Sequence, residues 1–201
     1  MTQGYEGYEV WAPYARGMRL IIGDSTHEMH ADTARAGWWV ADAAPMVGQR
    51  YAFSLFDGTE WTKPLPDPRT RRQPEGVHGP SEVVAAEFAW TDQHWRGLHL
   101  KEQVIYELHV GTFTPQGTFA AVAEKLEYLA DLGVNAIELM PVQPFAGGRN
   151  WGYDGVDWFA VEESYGGPEE LKHLVDAAHA ASIAVILDVV YNHFGPEGNY
   201  N

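Results

Sequence analysis

Apolar positions along this chain follow two different periods. In residues 1 to about 90 they come in short runs of branched and aromatic residues: YEVWAP (8–13), MRLIIG (18–23), GWWVAD (37–42) and RYAFSLFDG (50–58). Gly, Pro and Asp punctuate the runs, so the pattern predicts several short strands and a β-sandwich. In the fourth run Tyr51, Phe53 and Leu55 alternate with Ala52, Ser54 and Phe56, so even its second face is not wholly polar. The tract KPLPDPRTRRQPEGVHGPSE (63–82) follows, with Pro64, Pro66, Pro68, Pro74 and Pro80. Proline has no N–H to give a helix or a central strand. The tract is therefore expected to run extended over the surface and to lead into a second domain. It also carries Arg69, Arg71, Arg72 and His78.

From about residue 100 the period changes. QVIYELHV (103–110) reads as a strand. Thr118 is placed to cap a helix over 119–132, with Phe119, Val122, Leu126 and Leu129 at helical spacing and Gly133 in the position of a left-handed C′ residue. VNAIELM (134–140) is the next strand, and a long loop rich in glycine and aromatic residues occupies 141–167. Pro168 fits the first turn of a second helix with Leu171, Leu174, Val175 and Ala178 facing in, and 183–190 is a third strand. This β-α-β-α-β order, with strands apolar on both faces, predicts a parallel sheet in a doubly wound fold or a β/α barrel. The joint HVGTFTPQG (109–117) has neither a GxGxxG nor a Walker pattern, so a dinucleotide fold lacks support.

Charge narrows the partners. With 28 Asp and Glu against 13 Lys and Arg, a net of −15, neither nucleic acid nor an anionic membrane is expected as a partner. There is no Cys, hence no disulfide framework and no Cys-bound metal. The first residues lack the basic and apolar regions of a signal peptide, and no apolar run approaches membrane-spanning length, so a cytoplasmic location is expected. No cofactor is indicated. The 8 Trp, 10 Tyr and 8 Phe suit core filling and equally suit stacking on the C–H face of a sugar.

Each predicted parallel strand carries an acid near its C-terminal end: Glu107, Glu138 and Asp188. In a β/α barrel that end is the working face. Acids there serve catalysis or hold an Arg; alone in an apolar strand they are costly. Tyr191, Asn192 and His193 follow Asp188 directly. His193 is a candidate metal ligand, general acid/base or donor to a substrate hydroxyl. The metal reading is the weakest, since no second His lies at close spacing and only His109 shares that end. Trp151, Tyr153, Trp158, Phe159 and Tyr165 crowd the 141–167 loop. Trp158 and Phe159 are expected to pack the loop onto the scaffold, and Tyr153, between Gly152 and Asp154, to be exposed. Rings beside a His/Asn/Asp cluster suit a ligand with hydroxyls and apolar faces, such as a sugar.

These residues resemble the α-amylase superfamily of glycoside hydrolases, and within it the malto-oligosyltrehalose trehalohydrolase branch. The superfamily resemblance rests on DVVYNH (188–193), GVNAIELMPVQPF (133–145) and WGYDGV (151–156). The branch rests on the 66–84 tract, VIYELHVGTFTPQGTF (104–119) and FGPEGNY (194–200). The resemblance implies an N-terminal immunoglobulin-like β-sandwich over 1–90. Over 91–201 it implies the first three β/α units of an incomplete (β/α)8 TIM barrel. It implies a parent that cleaves the α-1,4-glucosidic bond next to the terminal trehalose of maltooligosyl trehalose, alongside a maltooligosyl trehalose synthase.

By the same resemblance Tyr153 stacks under the glucose at the cleavage subsite and His193 donates to that sugar's 6-hydroxyl. Asp188 is a buried acid that orients an Arg, Trp151 and Asp154 belong to the same substrate-binding set, and Asn192 is structural. The superfamily's nucleophilic Asp, acid/base Glu and aligning Asp follow strands four, five and seven, and none of the acids here matches them. The 201-residue chain is thus expected to be an inactive N-terminal fragment with Asp188 unpaired or solvated. Its open sheet edges are expected to favour self-association. Two other readings stay open. One is a glycogen branching enzyme, against which the 66–84 tract speaks. The other is a non-catalytic carbohydrate-binding module, which the β-rich first half and the Trp content permit.

Overall fold

A computed structural model describes residues 7–200. The first part is β throughout. β1 (Glu9–Trp11), β5 (Trp38–Val40) and β4 (His30–Ala31) form one antiparallel sheet. β3 (Ser25–Glu28), β2 (Gly17–Ile22), β6 (Arg50–Phe56) and β7 (Ser81–Glu82) form a second. Val10 from the first and Met18, Leu20, Tyr51 and Phe53 from the second share one buried core. β2 shows the period-two logic plainly: Met18 and Leu20 point inward while Arg19 turns out and bonds Glu28 at 2.7 Å. All four predicted runs form strands. β3, β4 and β7 lack a sequence signal, because they are short and polar and owe their extension to pairing; all four residues of β3 are exposed.

The Pro-rich tract forms no helix, as its prolines dictate, but it is neither extended throughout nor wholly on the surface: turns close at 67–70, 73–76 and 76–79, and exposed residues such as Arg69, Arg71 and His78 alternate with buried ones. Asp67, Thr70, Gln73, Val77 and Ser81 are buried. The reason is pairing along the edge of β6 together with bonds from its side chains. Phe53 pairs with Leu65 through two 2.8 Å bonds, the Ser54 hydroxyl donates to the Thr62 carbonyl at 2.7 Å, and the Tyr51 hydroxyl donates to Asp67 at 2.7 Å. Arg72 then ties the tract to both parts of the molecule, bonding Glu82 at 3.0 Å and Glu163 at 2.9 Å.

The second part is a parallel sheet in the order β8 (Ile105–Leu108), β9 (Ala136–Leu139), β10 (Ala184–Leu187). Its helices are α1 (Val110–Phe113), α2 (Phe119–Ala123), α3 (Leu126–Asp131) and α4 (Gly167–Ala180). Leu108, Ile137, Leu139 and Val185 lie on one face of the sheet and pack with Phe119, Val122, Leu126, Leu129 and Leu174. Strand alternation puts Glu107, Glu138 and Ile186, which share one register position, on the opposite face.

Residues 119–132 are expected as one helix and form two. Lys125 N–H donates to the Val122 carbonyl at 2.9 Å, a tightened turn that separates α2 from α3. Thr118 caps as expected, its hydroxyl accepting from Ala121 N–H at 3.3 Å, and Gly133 adopts φ +92°. The third strand stops at Leu187 rather than 190. Asp188 N–H donates the last rung to Leu139 O at 2.9 Å, and the next rung would need an N–H that Pro141 lacks.

Candidate functional site

Three loops meet at the C-terminal end of the parallel strands. Asn150, which sequence reasoning missed, organises the longest. Its amide oxygen accepts from Gly152 N–H at 2.7 Å and Asp154 N–H at 3.3 Å, and its amide nitrogen donates to the Asp154 carboxylate at 2.8 Å. Its carbonyl accepts from His109 Nε2 at 2.7 Å, tying the loop to the end of β8. Gly152 sits at φ +99°, and a Cβ there would lie 2.8 Å from Pro141 O, so only glycine fits this turn. The turn leaves Trp151 62% and Tyr153 48% exposed.

The Tyr153 carbonyl accepts from His193 Nε2 at 2.8 Å. A carbonyl only accepts, so Nε2 carries the proton and Nδ1 is the open nitrogen. Tyr153, Asp154 and His193 are thus brought together, with Trp151 two positions before Tyr153 on the same turn. Asp188 is half-buried rather than buried, and no hydrogen bond or ion pair reaches its carboxylate among the described residues. The β10 loop is held by Trp158, whose ring stacks on Phe194 (4.1 Å, 11°) and meets Tyr191 edge-on. Trp158 therefore packs as expected. Phe159 does not: it is 63% exposed, because Asp157 and Ala160 take the interior positions beside it. Asn192 is exposed.

Beside Trp151 lies an open groove of about 740 Å³. Its walls include His109, Thr112, Gln116, Arg149, Asn150 and Trp151. The His109 ring meets Trp151 at 5.2 Å and Tyr165 at 5.9 Å, and burial pushes the Tyr165 phenol up to about 12. No carboxylate lines the groove, although the chain's net charge is −15. Donors and acceptors around an indole face, the Arg149 guanidinium among them, can hold a hydroxylated ligand, and the volume is that of a small-molecule site. His109, Thr112 and Gln116 lie in the 104–119 tract and Trp151 opens WGYDGV, whereas Arg149 and Asn150 lie outside every motif read from the sequence.

Asp157 is a second missed residue. It is 4% exposed, and its Oδ2 has no hydrogen-bond partner among the described residues. Burial pushes its carboxyl up to about 7, and the nearby Asp67 charge adds to the effect. Asp67 is itself raised by burial, against the lowering hydrogen bonds from Arg69 N–H and the Tyr51 hydroxyl. No group of three His, Cys, Asp or Glu is placed to hold a metal among the described residues. No helix is long and apolar enough to cross a membrane.

Comparison with known proteins gives the family. The chain is 53% identical over 204 residues to malto-oligosyltrehalose trehalohydrolase of Rhizobium sp. (strain M-11), a match covering 99% of this chain and 34% of that protein. It is 47% identical over 207 residues to the protein of the same name from Saccharolobus solfataricus, covering 100% and 36%. A 1,4-alpha-glucan branching enzyme from Corynebacterium jeikeium is 31% identical, covering 98% and 30%. The chain thus spans about a third of the length of the curated relatives it matches. A 1.4 Å crystal structure from Salmonella typhimurium, assigned as an alpha amylase, superposes with a TM-score of 0.87 at 44% identity over 96% of this chain and 32% of that one. A pullulanase from Anoxybacillus sp. LM18-11, solved with maltotetraose, gives 0.76 at 26% identity over 93% and 33%. The alpha amylase catalytic-domain family matches residues 51–201, and with its N-terminal β part and its strand–helix alternation this chain belongs to that family.

Proposed function

We propose that the chain is the N-terminal third of a malto-oligosyltrehalose trehalohydrolase. The observation that carries this is the ranking of relatives: 47–53% identity to trehalohydrolases against 31% to a branching enzyme, over nearly the same span. On this reading residues 1–90 are an immunoglobulin-like sandwich and 91–201 the first three units of a (β/α)8 barrel. Sequential parallel strands whose core residues all face the helices on one side support a barrel over a doubly wound sheet, which needs helices on both faces.

The parent hydrolyses the α-1,4 bond next to the terminal trehalose of maltooligosyl trehalose and acts with a maltooligosyl trehalose synthase. Retaining cleavage needs a nucleophilic and an acid/base carboxyl about 5–5.5 Å apart. This part of the parent supplies the saccharide site instead. Tyr153 stacks under a glucose ring, with Trp151 and Asp154 beside it on the same turn. His193 hydrogen-bonds the sugar once a hydroxyl replaces the Tyr153 carbonyl at Nε2 or meets Nδ1. Asp188 holds an Arg. The groove beside Trp151, which no carboxylate lines, accommodates further glucose units.

The full-length enzyme tests the proposal. Incubated with maltooligosyl trehalose it should release trehalose and a maltooligosaccharide, and with amylose it should form no α-1,6 branches. The 201-residue chain alone should release no trehalose. Branched product from amylose without trehalose release would overturn the reading in favour of a branching transferase.

A further inference from the structure

We propose that Val77 and His78, at the far end of the Pro-rich tract, are positioning residues for the loop that begins at His193. The inference rests on the reading that His193 meets the substrate. Residues 194–200 follow His193 without any regular element, so their path depends on what grips them. The β/α part grips the first half. Phe194 stacks on Trp158, and Gly195 donates its N–H to Gly155 O at 3.0 Å, so close to the Asp154 carbonyl that a Cβ has no room.

The second half is gripped from the N-terminal tract. Gly198 sits at φ +80°, and a Cβ there would lie 2.5 Å from Val77 Cβ and 3.3 Å from Val156. The Tyr200 hydroxyl lies 2.6 Å from His78 Nδ1, and the two rings meet edge to face at 5.9 Å and 71°. Glycine at 195 and 198 is therefore what lets the loop enter the slot between the WGYDG turn and the tract. The tract itself does not yield: Val77 is 3% exposed, Gln73 1% and Thr70 0%, and Arg72 is bonded to Glu82 and Glu163. A shift of Val77 or His78 is thus passed to the loop and to its first residue, whose imidazole is held, among the described residues, by the Tyr153 carbonyl. The function left unassigned to the tract by its sequence is to seat a substrate-binding histidine from outside the β/α part.

The test is a coupling measurement on the full-length enzyme, read as kcat/KM. His78→Ala and Tyr200→Phe should each lower kcat/KM about two- to tenfold, the span of one neutral hydrogen bond. The pair together should lower it no further, and His78→Asn, which keeps a side-chain nitrogen, should recover most of the loss. In a His193→Ala background His78→Ala should have no effect, because its action runs through that ring. A positioning role is overturned if His78→Ala is silent in the wild-type background, or if it costs the same with and without His193. Should His78→Ala fail to fold, Tyr200→Phe, which removes one hydroxyl, carries the same comparison. If His193→Ala itself leaves kcat/KM unchanged, the substrate role of His193 falls and this inference with it. If His193→Ala is damaging and His78→Ala silent, only this inference falls.

Discussion

Replacing Asp157 by Asn should flatten a pH-dependent loss of stability that the wild-type chain carries. The carboxyl is 4% exposed, Oδ2 has no partner among the described residues, and burial lifts it from 3.8 to about 7. The sign follows from which state binds the proton. Below about pH 4 the carboxyl is protonated in both folded and unfolded chains, and there is no penalty. As pH rises from there to about 7 the unfolded chain ionises while the folded one keeps its proton, so stability falls. Above that the folded carboxylate is ionised and unpaired, and the deficit stays constant. A gap of about three pH units converts to roughly 4 kcal/mol. The Asp157→Asn variant would leave an amide N–H without an acceptor where Oδ2 now sits, at about 1–3 kcal/mol independent of pH. Urea unfolding of both proteins from pH 4 to 8 checks this. Wild type should be the more stable at pH 4, and the difference should move towards the variant by several kcal/mol on approaching pH 8. Other titrating groups cancel in that difference, apart from Asp67, whose repulsion leaves together with the Asp157 charge. A difference that does not change with pH would refute the assignment of Asp157 as an unpaired buried acid.

Two further substitutions probe the β/α part by the same unfolding assay. Leu129→Ala removes a side chain that is 0% exposed in the core between the sheet and its helices, and should cost about 2–5 kcal/mol. Thr118→Ala leaves Ala121 N–H without its acceptor and should cost about 1 kcal/mol; a neutral result would mean that the cap bond of α2 does not persist in solution.

What could be read from the sequence divides by range. The four long strand runs, the Thr118 cap, the Gly133 stop and Pro168 at the head of α4 were all legible, because each depends on residues a few positions apart. The burial of the Pro-rich tract was not. Its cause is the pairing of Phe53 with Leu65 and the bond from the Tyr51 hydroxyl to Asp67, contacts between residues 12 and 16 positions apart that no local pattern marks. The candidate site was legible in its tips and not in its mountings. Tyr153 and His193 were singled out from their place in the chain and then by a family pattern, and His109 by its place at the end of β8, whereas the bonds by which Asn150, Gly152 and His109 fix the loop run through the backbone and a left-handed turn. Residue type says little about such bonds.

The acids on the strands show what Asp188 still needs. Glu107 and Glu138 occupy the same register position on adjacent strands, on the face turned away from the helices, and strand alternation places Asp188 on that face as well. Like charges directly across a sheet are destabilising unless a cation lies between them or water reaches them. No cation contacts any of the three among the described residues, and Glu107 is exposed while Glu138 and Asp188 are half-buried. Exposed apolar residues border the same sheet at both edges, Val104 and Ile105 on one side, Leu187 and Val189 on the other, while Ala136, Ile137 and Leu139 of the central strand are 0% exposed. Parallel strands are normally covered on both faces. An acidic face on a sheet whose edges carry exposed apolar residues is matched by further strands that pair at those edges and bring basic residues to the acidic side. That supports the proposal that this sheet is one wall of a barrel whose remaining wall brings the partner of Asp188.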